Sequence, residues 1–119
     1  MSRARKFFHP NPEALTLHRI LFALSDPTRL TVAAALMDGA ERASGDLLAD
    51  SVPRSTMTHH LKILREAGVT RTRPDGMRCW ISLRRDDLDR RFPGLVATIM
   101  ALAARAPAGD PPPDRAPRV

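Results

Sequence analysis

The chain has 119 residues and a formal net charge of +6, from 19 basic and 13 acidic side chains. That length suits one domain and leaves little room for the scaffold and cleft of a free-standing metabolic enzyme. Apolar residues make up 43%, enough for a packed core, yet no apolar run approaches the ~20 residues of a membrane span.

Residues 1–10 read as a basic arm, Met1-Ser2-Arg3-Ala4-Arg5-Lys6 and then Phe7-Phe8-His9-Pro10. The apolar part is too short for a secretory signal, and the single cysteine, Cys79, forbids an intramolecular disulfide; both point to a reducing cytoplasm. Asn11-Pro12-Glu13 supplies an N-cap, a first-turn proline and an acid. A first helix should follow, with Leu17, Ile20, Leu21 and Leu24 inward. Asp26-Pro27-Thr28 repeats the start signal for a second helix with Leu30, Ala33, Ala34 and Met37 inward, ended by Gly39. Ser44-Gly45-Asp46 should open a short third helix carrying Leu47 and Leu48, and Ser51-Val52-Pro53 should turn. A fourth helix is predicted from Arg54 to Ala67, with Met57, Leu61, Leu64 and Ala67 inward and Gly68 as its stop.

After Gly68 the period changes to the alternation of a strand, Val69 to Arg73. Pro74-Asp75-Gly76 is a turn, and Met77 to Leu83 is the return strand. A last helical region begins at Asp86-Asp87-Leu88 and is divided near Pro93, with a longer helix to Arg105. Residues 106–119 are proline-rich and carry almost no large apolar group, so an extended or disordered tail is expected. The domain proper is therefore 11–105. Its predicted class is mainly α with a small β-hairpin: a winged helix-turn-helix of four helices, two strands and a final helix.

That order points to duplex DNA. A helix fits the major groove and can present polar side chains to base edges. The outward face of the fourth helix carries Arg54, Ser55, Thr56, Thr58, His59 and Lys62, with no acid before Glu66. An ordinary solvated helix mixes acids with bases, whereas a phosphate-facing one excludes acids. Arg71, Arg73 and Arg78 flank the hairpin tip and suit sugar-phosphate contact, and Arg84 and Arg85 follow. Asp75 at the tip serves the turn.

Leu24-Ser25-Asp26-Pro27-Thr28-Arg29-Leu30, followed by Ser55-Thr56-Met57-Thr58-His59-His60-Leu61-Lys62-Ile63-Leu64-Arg65-Glu66-Ala67-Gly68-Val69, resembles the ArsR/SmtB family of bacterial winged-helix repressors. The resemblance covers roughly residues 15–100. It implies a homodimer bound to operator DNA of inverted-repeat symmetry, with Ser55, Thr58 and His59 toward the major groove and Arg54 just ahead of them. Asp26-Pro27-Thr28-Arg29 would match the element joining the first two helices. The family's arsenic and lead sensors carry Cys-Val-Cys at the start of the third helix, and the matching Ala43, Ser44 and Gly45 offer no thiolate. Its zinc sensors place Asp and His on the last helix, but residues 93–105 contain no His, Cys, Asp or Glu.

No cofactor or metal is therefore expected. His9 and His18 are the remaining weak candidates, and imidazole suits nickel or zinc. The alternative reading of each is a solvated or satisfied side chain. His60 points away from its neighbour His59 and reads as a packing or phosphate residue. Cys79 beside Trp80 reads as a small core residue, with oxidation as the alternative.

Dimerisation follows from an apolar surplus. Leu15 and Phe22 on the first helix, and Leu95, Val96, Ile99, Met100 and Leu102 on the last, exceed one inward stripe. A monomer would expose them as a patch that soluble proteins avoid. The expected partners are operator DNA and a second copy, with no membrane. The alternative is a winged-helix module, or an activator, whose activity a co-regulator protein sets; the proline-rich tail could then dock a partner.

Overall fold

The computed structural model describes residues 7–47 and 52–105. A 3-10 turn at Pro12–Ala14 leads into α1 (Leu17–Ala23) and α2 (Pro27–Ala35). A two-residue strand β1 (Arg42–Ala43) and a 3-10 turn (Ser44–Asp46) come next, then α3 (Arg54–Ala67). The hairpin β2 (Thr70–Asp75) and β3 (Arg78–Leu83) follows, and α4 (Arg85–Arg91) and α5 (Leu95–Ala104) complete the described chain. The sheet is antiparallel in the order β1-β3-β2, with Thr72 opposite Ile81 and Ala43 opposite Trp80. None of the described helices is long and apolar enough to cross a membrane.

Local chemistry explains the boundaries. The Asp26 carboxylate accepts hydrogen bonds from the amides of Thr28 (2.8 Å) and Arg29 (3.1 Å), and Pro27 occupies the first helical position of α2. Helix α3 closes with Gly68 at φ +88°; the Gly68 amide donates to the Arg65 carbonyl and the Val69 amide to that of Leu64. This double bond pattern satisfies the last carbonyls and turns the chain directly into β2. Met57, Leu61, Leu64 and Ala67 are all buried, as the helical spacing predicts. They pack with Ile20, Val32, Leu36, Ile81, Leu88 and Val96 into one core.

Four expectations need correction. The first helix does not begin at Pro12: the chain bends at Leu15 and Thr16, and Asn11 makes no side-chain capping bond. The bend turns Leu15 into the core, while Leu17 and Leu21 stay exposed and Ile20, Ala23 and Leu24 face inward. In α2 the buried stripe is Arg29, Val32 and Ala33, continued by Leu36; Ala34 is exposed, and Leu30 and Met37 are half-buried. Val32 and Leu36 are fully buried, and Ala33 is shared with the predicted set. The described part of the third helix is only the 3-10 turn, and Leu48 lies outside the described residues.

The dimer surplus also changes. Leu15, Val96 and Met100 belong to this chain's own core, so they are not spare apolar surface. Leu95 and Ile99 are half-buried against that core. Leu17, Leu21 and Phe22 of α1 and Leu102 of α5 remain exposed.

The segment before the first turn is docked on the sheet. The Thr72 amide, on the free edge of β2, donates to His9 Nε2 (3.0 Å). Arg84, itself buried, donates to the Pro10 carbonyl (2.8 Å) and holds Asp87 (3.0 Å). Burial lowers the His9 pKa from its ordinary 6.5, and the cations Arg84, Arg65 and Arg71 lower it further, against an opposing contact with the Phe7 backbone. The folded state thus favours neutral imidazole, which the acceptor role of Nε2 requires.

Two outcomes follow from this packing. A Cβ at Gly68 would collide with Leu15 Cδ2, and the left-handed backbone disfavours it independently. With about 1–2 kcal/mol for the backbone and about 1–3 for overpacking, Gly68→Ala should cost about 2–5 kcal/mol in urea unfolding. A parent-like midpoint would contradict that packing. Because the folded-state pKa of His9 is depressed, its stabilisation is complete above the unfolded value of about 6.5 and is lost as pH falls through the folded value. Unfolding free energy should therefore decline from pH 7 to 5, and His9→Gln, which keeps an acceptor without titrating, should flatten that decline.

Candidate nucleic-acid interface

Amphipathic α3 presents a continuous polar face. Arg54, Ser55, Thr56, Thr58, His59 and Lys62 are all exposed, opposite the buried Met57, Leu61 and Leu64. Its N-terminal end follows Pro53 and has no side-chain cap, so the first-turn amides project beyond the helix. Thr58 donates its hydroxyl proton to the Arg54 carbonyl (3.0 Å), which fixes the rotamer and leaves the oxygen as an acceptor. Among the described residues, neither Arg54 nor Lys62 forms an ion pair.

Arg29 sets the position of this face. Its side chain is buried; Nε donates to the Ala23 carbonyl (2.8 Å) and Nη2 lies 3.4 Å from that of Phe22. Nη1 stands 3.1 Å from His60 Nδ1. Arginine can only donate, so Nδ1 accepts and the neutral imidazole proton sits on Nε2, 4.0 Å from the Asp26 carboxylate. One guanidinium thus closes the C-terminus of α1 and ties α2 to α3. The sequence reading placed Asp26-Pro27-Thr28-Arg29 at the junction of two helices but did not link Arg29 to His60. The available signal was the position of Arg29 on the buried stripe of its own helix.

The hairpin arginines occupy a different electrostatic setting. Arg73 makes a bidentate pair with Glu41, at 2.9 and 2.8 Å. The Arg73 hydrogen bond holds the Glu41 carboxyl below its ordinary pKa, and the Arg73 value rises in return. Arg71 lies 3.5 Å from Asp87, and the Arg78 guanidinium sits 5.3 Å from the centre of the Trp80 ring. All three remain exposed on the hairpin whose tip carries the almost fully exposed Met77. The sequence reading did not pair Arg73 with Glu41 or Arg71 with Asp87, because these contacts span 32 and 16 residues.

The metal and thiol candidates are also placed. His9 is engaged by Thr72, and His18 is exposed. Among the described residues, no group of three or more His, Cys, Asp or Glu side chains could hold a metal ion. Cys79 is a half-buried free thiol facing the cleft between α3 and the hairpin.

Comparisons with known proteins agree with this geometry. A family model of the helix-turn-helix domain matches residues 24–73. The uncharacterised HTH-type transcriptional regulator YceK of Bacillus subtilis (strain 168) is 36% identical over 83 residues, spanning 68% of this chain and 83% of that protein. The homodimeric winged helix-turn-helix DNA-binding domain of Mb0332 from Mycobacterium bovis superposes with a TM-score of 0.60 at 25% identity, covering 74% of this chain and 78% of its own. The transcriptional repressor BigR from Xylella fastidiosa shares the fold, with a TM-score of 0.57 at 24% identity over 72% of this chain and 84% of its own. With the helix order, the hairpin and both sequence motifs in place, the chain belongs to the ArsR/SmtB family of winged helix-turn-helix, DNA-binding transcriptional regulators.

Proposed function

We propose that the protein is a homodimeric, sequence-specific repressor that covers a promoter by seating α3 in the major groove. The acid-free exposed face of α3 carries this reading. Arg54, Ser55, Thr56, Thr58 and His59 read base edges and the phosphates beside them, while Lys62, Arg71, Arg73 and Arg78 neutralise phosphates. The uncapped amides at the start of α3 add a phosphate site of their own. A protein-docking role for this face is less well supported, because the face offers no apolar or aromatic anchor.

The homodimer rests on two supports. The Mycobacterium bovis domain of the same fold is homodimeric. The exposed Leu17, Leu21 and Phe22 of α1, with Leu102 of α5, need cover, and the half-buried Leu95 and Ile99 extend them. A seam of ordinary size, about 1,600 Å², would place two recognition helices roughly 34 Å apart, one turn of DNA. In this reading residues 11–105 do both tasks in the cytoplasm without a cofactor, and residues 106–119, outside the described residues, take no part. Release is not governed by a thiolate site at Ala43, Ser44 and Gly45 or by a last-helix metal site.

Mobility shifts on the upstream region of its own gene test the reading. Thr58→Ala or His59→Ala should weaken the specific site by about 1–3 kcal/mol and leave random DNA nearly unchanged. Lys62→Ala should weaken both alike and make the salt dependence shallower by about 0.9 per lost phosphate contact. Equal losses on both duplexes for Thr58→Ala and His59→Ala would remove α3 as the reading element. Phe22→Glu should give monomers at micromolar concentration in sedimentation and abolish specific binding; a dimeric variant would move the seam elsewhere.

A further inference from the structure

Helix α3 and the hairpin form a cleft of about 510 Å³, within the roughly 300–1,000 Å³ of small-molecule sites. Its apolar lining includes Met57 and Leu61 of α3 and Ile81 of β3. Three arginines line it as well, Arg54 and Arg65 from α3 and Arg78 from β3. Asp46 is the one acid among its described lining residues.

Two polar groups of this cleft have nothing to bond. Thr72 is 5% exposed, and its hydroxyl oxygen is buried without a hydrogen-bond partner. The strand register aims it: Thr72 stands opposite Ile81 and Cys79 opposite Pro74, so Thr72, Ile81 and Cys79 share the face turned toward α3. Arg65 Nε is likewise buried and unbonded. The Phe7 ring lies 4.8 Å from the Arg65 guanidinium carbon, and among the described residues Arg65 forms no ion pair. Burial lowers the Arg65 pKa, against the opposing fields of Glu66 and Cys79. A cation in that setting gains from an anion at bonding distance, and the buried hydroxyl gains from an acceptor.

We propose that this cleft binds an organic monocarboxylate with an apolar body, and that its occupant weakens duplex binding. The carboxylate takes hydrogen bonds from Arg65 Nε and the Thr72 hydroxyl, and the apolar body lies along Met57, Leu61 and Ile81. The effect on the duplex rests on the function proposed above. Arg54 and Thr58, assigned there to the operator, and Arg78, assigned to phosphate, belong to the same lining, so a ligand between α3 and the hairpin competes for them.

Cys79, the chain's single cysteine, lines the cleft and reports on its occupancy. The probes are benzoate, phenylbutyrate and octanoate, each beside its uncharged alcohol, with acetate as the charge without the body. Alkylation of Cys79 in the full chain by iodoacetamide should slow about fivefold or more at saturation with at least one carboxylate, since such sites bury roughly 70–90% of a ligand. The alcohols and acetate should protect little. Calorimetry of the same probes gives affinities without the thiol. Thr72→Val should weaken that carboxylate about 2–10-fold, and Arg65→Gln about 10–100-fold. The urea midpoint of Thr72→Val should not fall, because the hydroxyl is unbonded in the free protein; that separates ligand binding from a structural role. In anisotropy titrations the carboxylate should weaken the parent's binding to a random duplex about 5–100-fold, and that of Arg65→Gln far less. No heat and no protection from any carboxylate, equal binding of the alcohols, or full affinity in both variants overturns the site. Carboxylate binding with unchanged duplex affinity overturns the regulatory role. A parent that binds no duplex overturns the duplex reading, while calorimetry and thiol protection still decide the site.

Discussion

The guanidinium of Arg29 is a cation taken out of water, and the fold must give it acceptors. Two come from the last turn of α1, the carbonyls of Phe22 and Ala23, and the third is a ring nitrogen of His60 on α3. Its own amide is meanwhile spent on capping by Asp26. An uncompensated buried cation costs several kcal/mol, so these acceptors cannot move apart independently. The angle between α1, α2 and α3 is thereby set by a directional polar contact and not by oily packing alone. His60 must present a bare Nδ1 to it, which fixes one tautomer and one ring orientation within a half-buried site.

The same contact joins two surfaces with different tasks. The Phe22 ring lies 5.3 Å from the Arg29 guanidinium carbon, on the exposed apolar side of α1, while His60 is next to His59 on α3. On the proposed reading, one side chain therefore stands between the seam of the dimer and the helix that reads DNA. Displacing α1 by pairing or unpairing copies would shift the acceptors of Arg29 and, through His60, the orientation of α3. Coupling of that kind needs no metal site, because the two states differ in how well a buried cation is satisfied.

How much was legible in the sequence depended on the range of the interactions. Helix α3 was readable end to end because its apolar spacing, its polar outer face and the stop at Gly68 all agree. The Asp26-Pro27 start of α2 and the β2–β3 hairpin were equally local. The bend at Leu15 was not, since Leu15 is drawn inward by the space over Gly68, a contact across 53 residues. Strand β1 is two residues long and is defined only by its pairing with Ile81 and Trp80. The site followed the same division: the composition of the α3 face was visible, but the partners of Arg73, Arg71 and His9 were not. Each of those partners lies on another element, and nothing in the spacing of arginines reveals a distant carboxylate.

Those hidden partners divide the basic surface into two kinds of charge. Arg54 and Lys62 on α3 form no ion pair among the described residues, whereas Arg73 is already held by a carboxylate in the geometry that a phosphate would use. The Arg73–Glu41 pair is half-exposed, so its net worth is small and it can exchange for a phosphate. On the proposed reading, Glu41 keeps the guanidinium oriented while no duplex is present and tempers the hairpin's attraction for any passing polyanion. His9 occupies the free edge of β2, beside Arg73 on the same strand. An unpaired edge strand invites a second strand, and the imidazole closes that opening at Thr72.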